Sequence, residues 1–81
     1  MRKITTEIIE AYKNYLVIEE KSQSTIDKYL RDVREFAEWL GDREFDKTVV
    51  LTYKTELTER YAPASVNTIL SSLNSFFAFN E

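Results

Sequence analysis

Residues Ser24–Gly41 read STIDKYLRDVREFAEWLG. Within them Ile26, Tyr29, Leu30, Val33, Phe36, Ala37 and Leu40 recur at three- and four-residue steps, the spacing that stacks side chains on one face of an α-helix. An alternating strand has period two and cannot produce this stripe. The stretch is therefore a helix whose apolar face must be covered by the rest of the chain. Ser24 stands at an N-cap position, with Asp27 three residues on as the acidic partner of a capping box. Gly41 supplies the C-terminal stop. The side opposite the stripe carries Ser24, Lys28, Arg31 and Glu35, with Arg34 at its flank.

Working outward, the segment from about Thr5 to Glu20 has Thr5 and Thr6 as candidate N-caps and acidic Glu7 in the first turn, where the helix dipole favours it. Ile8, Ile9, Tyr12, Tyr15 and Leu16 form its apolar side. Lys21–Gln23 is a short polar connector. Beyond Gly41, Asp42–Asp46 is a charged loop in which Phe45 is the apolar pin into the core. A third helix starts near Asp46–Thr48 and runs to about Arg60. Its run Thr48-Val49-Val50-Leu51-Thr52-Tyr53 would by itself suggest a strand, but Val50, Tyr53, Leu57 and Tyr61 keep helical spacing and no partner strand is present. Ala62-Pro63-Ala64 interrupts the chain, and Ala64 or Ser65 opens a last helix. One glycine and one proline in 81 residues leave little turn chemistry for a sheet. The expected fold is all-α, a compact orthogonal bundle of four helices at about 5–20, 24–40, 47–60 and 64–79.

The last of these helices is unusual in composition. Tyr61–Asn80, YAPASVNTILSSLNSFFAFN, contains no charged residue in a protein that is 31% charged. Val66, Ile69, Leu70, Leu73, Phe76 and Phe77 form its apolar face. Asn67, Thr68, Ser71, Ser72, Asn74 and Ser75 form the other, all small, neutral and mediocre helix formers. A face turned only to water more usually carries Glu and Lys. Either it is a bland surface, or something suited to small uncharged donors and acceptors closes on it.

Composition narrows the chemistry. Eighty-one residues make one domain, near the lower limit for a single unstapled core, and 14% aromatic residues help that core to hold. Without cysteine or histidine there is no disulfide framework, no thiolate metal site and no imidazole base. No EF-hand-like loop or paired-carboxylate spacing replaces them, and adjacent Glu19 and Glu20 point to different sides of a helix. Neither catalysis, nor a metal, nor a cofactor is expected. Most of the tyrosines fall on or beside apolar stripes and are core residues rather than base-stacking platforms. No run of eighteen apolar residues and no signal-peptide h-region is present, so a soluble, cytoplasmic protein is expected. A net charge of −3 and a pI near 5.0 weigh against a whole-domain electrostatic grip on nucleic acid.

The residues nevertheless resemble a family. Ser24-Thr25-Ile26, then Tyr29, Asp32, Phe36 and Leu40, look like the "sTi..Y..dl..F..fl" pattern of the N-terminal core-binding, SAM-like domain of phage integrases and tyrosine recombinases. Ser65-Val66-Asn67, Leu70-Ser71, Leu73 and Ser75-Phe76-Phe77 are similar to "sTiN..lsaLrsFf", that domain's fourth helix. Tyr12-Lys13-Asn14-Tyr15-Leu16 sits where the family has its first-helix "f..yL".

The resemblance implies one half of a DNA clamp, excised from a longer recombinase whose separate C-terminal domain cuts and rejoins DNA with an Arg, Lys, His, Arg and Tyr set. None of that set is matched here. The family turns its second and fourth helices toward the major groove, which carries over to Ser24, Thr25, Lys28 and Arg31 and to Ser65, Asn67, Thr68 and Ser71, with Asn74 at the edge. Many members carry arginines at the positions of Thr68, Ile69 and Asn74, and this chain has none. Double-stranded DNA is thus the expected partner, bound weakly and with strong salt dependence by a monomeric isolated domain, with neighbouring protomers as further partners in the full-length assembly. The rival expectation is a small helical protein-interaction module that ignores nucleic acid.

Overall fold

The stripe of Ile26 to Leu40 needs a cover, and three other helices provide it. The computed structural model describes residues 3–80, with α1 at Thr6–Ile18, α2 at Gln23–Leu40, α3 at Lys47–Arg60 and α4 at Pro63–Phe79. The expected all-α, four-helix class is what the chain adopts. The pair α2 and α4 packs most extensively, with α1 against α2 and α3 against α4 completing the bundle.

Each helix delivers its stripe to one core: Tyr12 and Leu16 from α1, Leu30, Val33 and Phe36 from α2, Tyr53 and Leu57 from α3, and Leu73 and Phe76 from α4 are all buried. Aromatic rings knit it together. Phe36 meets Tyr53 edge-on at 4.9 Å between centroids and Phe77 at 5.7 Å, and Tyr12 meets Phe76 edge-on at 5.1 Å. Such pairs add about 0.5–1.5 kcal/mol each beyond simple burial. Phe45 is half-buried and stacks on Phe77 at 5.3 Å, so the loop is pinned as its sequence suggests.

Four local readings need correction. The cap of α2 is Ser22, not Ser24. Ser22 has extended backbone, and its Oγ accepts from the Thr25 N–H at 3.2 Å. Gln23 thereby becomes the first helical residue and donates to Asp27 Oδ1 at 2.8 Å, which turns Asp27 to a side chain rather than to a cap. Second, α1 stops at Ile18, two residues early. Glu20 takes a left-handed φ of 59° while its N–H and that of Lys21 donate to the carbonyls of Val17 and Leu16, a Schellman closure. Third, α4 begins at Pro63, because a first-turn proline needs no N–H partner; its cap, Ala62, makes no side-chain hydrogen bond. Finally, Ser72 is 0% exposed and Ser75 is half-buried, so the neutral outer face of α4 is narrower than the sequence suggests.

The β-branched run in α3 is helical throughout. Asp46 Oδ1 accepts from the Val49 N–H at 2.9 Å, which fixes the first turn. Tyr53 and Leu57, buried on one side, supply a packing gain that outweighs the intrinsic strand preference.

Candidate nucleic-acid interface

Residues Ser24, Lys28 and Arg31 lie at i, i+4 and i+7 on α2, and Ser65 and Thr68 lie at i and i+3 on α4; these spacings put each set on one helix face. Packing of α2 on α4 then brings the two faces together. A groove of about 260 Å³ between the helices is lined by Lys28, Arg31, Asp32, Glu35, Tyr61, Ser65, Thr68 and Ile69. Four of the eight expected contact residues therefore share one groove. Of the others, Ser24 is exposed and Thr25 half-buried near the start of α2, and Asn67 and Ser71 are exposed on the outer side of α4.

At the base of this groove lies a charged network that the sequence only hinted at. Asp32 is 3% exposed, and its Oδ2 accepts from Ser72 Oγ at 2.7 Å and from Lys28 Nζ at 2.5 Å. A buried carboxylate is costly unless paired, and here one donor comes from each helix. The same oxygen thus joins α2 to α4 and draws the Lys28 ammonium toward the protein. The hint was Asp32's register: three residues after Tyr29 and four before Phe36, a carboxylate occupies a position on the apolar stripe. Nothing in the sequence named Ser72 as its partner, since that pairing spans 40 residues and exists only after the helices dock.

Charge in the groove is balanced, with Lys28 and Arg31 against Asp32 and Glu35. The small hydroxyls are also partly committed. Thr68 Oγ1 donates to the Ser65 carbonyl at 2.9 Å, and Ser71 Oγ donates to the Asn67 carbonyl at 3.0 Å. In this arrangement they present lone pairs outward, as acceptors. The carboxamide of Asn67, exposed and without a hydrogen bond among the described residues, offers both donors and an acceptor. At the α4 start, Ser65 lies in a first turn with no acidic residue and no side-chain cap, so the positive end of the helix dipole and free N–H groups open beside the groove.

No group of three or more His, Cys, Asp or Glu residues among the described residues is arranged to hold a metal ion. No helix among them is long and apolar enough to cross a membrane.

Comparison with known proteins places these observations in a family. The profile of the phage integrase N-terminal SAM-like domain matches residues 9–81. The chain is 34% identical over 74 residues to the tyrosine recombinase XerA of Thermococcus kodakarensis and 36% identical over 74 residues to that of Thermococcus onnurineus. It is 30% identical over 80 residues to the tyrosine recombinase XerC of Treponema denticola. Each match covers 90% of this chain and 26% of the relative, so the chain spans about a quarter of the length of these curated relatives. No solved structure matches significantly. The part of the family matched is the N-terminal helical domain, not the catalytic one, and the chain belongs to the phage integrase N-terminal SAM-like domain family of the tyrosine recombinases.

Proposed function

We propose that this chain is the DNA-holding core-binding domain of a larger site-specific tyrosine recombinase, laying α2 and α4 against duplex DNA while a separate domain performs strand transfer. The observation that carries this reading is the shared groove, in which Lys28 and Arg31 of α2 face Ser65 and Thr68 of α4. Arg31 supplies phosphate contact. Asn67, with Ser24, Thr25 and Ser71 at the margins, is short enough to let backbone approach backbone and to meet base edges. The start of α4 adds N–H donors suited to a phosphate oxygen.

Balanced charge in the groove and a net charge of −3 make the isolated domain a weak binder. Linkage to a second DNA-binding module multiplies weak affinities through effective concentration, so the domain contributes positioning more than grip. Amide shifts of the domain titrated with duplex DNA at low salt test the assignment. Shifts at Lys28, Arg31, Asn67 and Thr68 are expected; shifts confined to α1 and α3 would overturn it.

A further inference from the structure

A second depression, of about 450 Å³, lies between α2 and α3. Buried Tyr53 and Leu57 and half-buried Trp39 form its floor, and exposed Glu35, Glu38 and Arg60 stand around it. Two independent features mark it as more than a crease between helices. The first is charge. Among the described residues the single ion pair is Lys28–Asp32, so Glu35 and Glu38 keep unpaired carboxylates although Arg60 lines the same depression. The second is the Tyr53 hydroxyl. Tyr53 is only 4% exposed and makes no hydrogen bond among the described residues, yet among those residues no buried side-chain nitrogen or oxygen is left without a partner. Its hydroxyl therefore opens into the depression. Burial, and next the nearby Glu35 carboxylate, push that phenol up to about 12, so the group stays protonated, with an O–H to give and lone pairs to receive.

Aromatic rings beside unpaired carboxylates suit a cationic side chain. Trp39 already attracts one from its own chain, since the Arg43 guanidinium sits 4.5 Å from its ring centroid. We propose that the α2–α3 groove binds an arginine or lysine side chain on a peptide segment of another protein, with Trp39, Tyr53 and Tyr61 taking the stem and Glu35 and Glu38 the charge. The same two carboxylates repel backbone phosphates, which makes the occupant a polypeptide rather than nucleic acid. Glu35 and Tyr61 also line the α2–α4 groove, so the bound segment would lie directly beside the proposed DNA surface.

The test uses the ¹⁵N-labelled 81-residue chain and the peptide acetyl-Ala-Leu-Arg-Leu-Ala-amide, with a version carrying neutral citrulline in place of arginine. Saturable shifts are expected at the Trp39 indole N–H and at the amides of Tyr53, Leu57 and Tyr61. Binding should weaken by about tenfold or more with the citrulline peptide and in the Glu35→Gln/Glu38→Gln variant, where a charge-assisted contact is lost. Both glutamates are exposed, so unchanged thermal stability shows that the fold is kept. Glu7→Gln/Glu10→Gln, which alters total charge equally but on α1, should leave binding unchanged. Equal binding of the citrulline peptide, an equal effect of the two double variants, or shifts elsewhere would each overturn the proposal. So would the same shifts on concentrating the protein alone, which would make the occupant a second copy.

Discussion

Glu20 is held at a positive φ of 59° by the closure of α1, not by any contact of its exposed side chain. An L-residue there costs about 1–2 kcal/mol relative to glycine. Glu20→Gly should therefore stabilise the domain by about 1 kcal/mol, a rise in melting temperature of about 4–8 °C for a chain of this size. Thermal unfolding followed by circular dichroism measures it, and an unchanged or lower midpoint contradicts the account of the closure. Asp32 makes a different demand. Ser72→Ala removes one of two donors to a buried carboxylate and should cost about 1–3 kcal/mol by chemical denaturation. In an Asp32→Asn background the same change should cost clearly less, because the charge it served is gone. Burial also raises Tyr12, and it raises Tyr53 to about 12. A phenol whose folded pKa lies above its unfolded value binds its proton more tightly in the folded state. Stability is thus unaffected by these groups below about pH 10, and falls as pH rises from there through the folded values. Absorbance at 295 nm should show the last tyrosines ionising above pH 10, with the highest step lost in Tyr53→Phe.

Among elements, α2 and α3 show how far a cap decides a boundary. Ser22 and Ser24 are two residues apart and identical in chemistry, but only Ser22 has extended backbone and reaches the Thr25 N–H. Ser22→Ala should destabilise by about 1 kcal/mol, as loss of a serine cap does, while Ser24→Ala should be close to neutral. Equal costs for the two would restore the Ser24 cap. For α3 the sequence pattern was weakest, since Leu51 is 62% exposed and the β-branched residues dilute its stripe. The Asp46 cap and the burial of Tyr53 and Leu57 hold it helical instead.

At the scale of the whole molecule, the proposed contact with DNA turns on how few cations line the α2–α4 groove, Lys28 and Arg31 alone. Lys28 is engaged by Asp32, whereas Arg31 is exposed and outside any ion pair among the described residues. Arg31→Ala should lower the slope of log affinity against log salt by about 0.9, the value for one phosphate contact. Lys28→Ala should lower it by visibly less. A larger loss at Lys28 than at Arg31 would mean that the ion pair opens on DNA.

Much of this protein was legible along the chain. Periodicity established four helices, because a stripe at 3.6-residue spacing depends only on which residues are apolar, and the core positions Leu30, Val33, Phe36, Leu73 and Phe76 follow from it. Helix ends were less legible, since Ser22 and Ser24 differ only in backbone angle and Glu20 carries no residue signal for a left-handed turn. Of the candidate site, the residue types on α2 and α4 could be read, and the resemblance paired the two helices. That Lys28, Arg31, Ser65 and Thr68 share one groove was decided by packing. So were the buried Asp32–Ser72 contact and the opening of Tyr53 into a groove edged by Glu35 and Glu38. The physical reason is common to all three: each joins residues on different helices, and a distance between helices is a property of how their ridges dock, which no local pattern along the chain encodes.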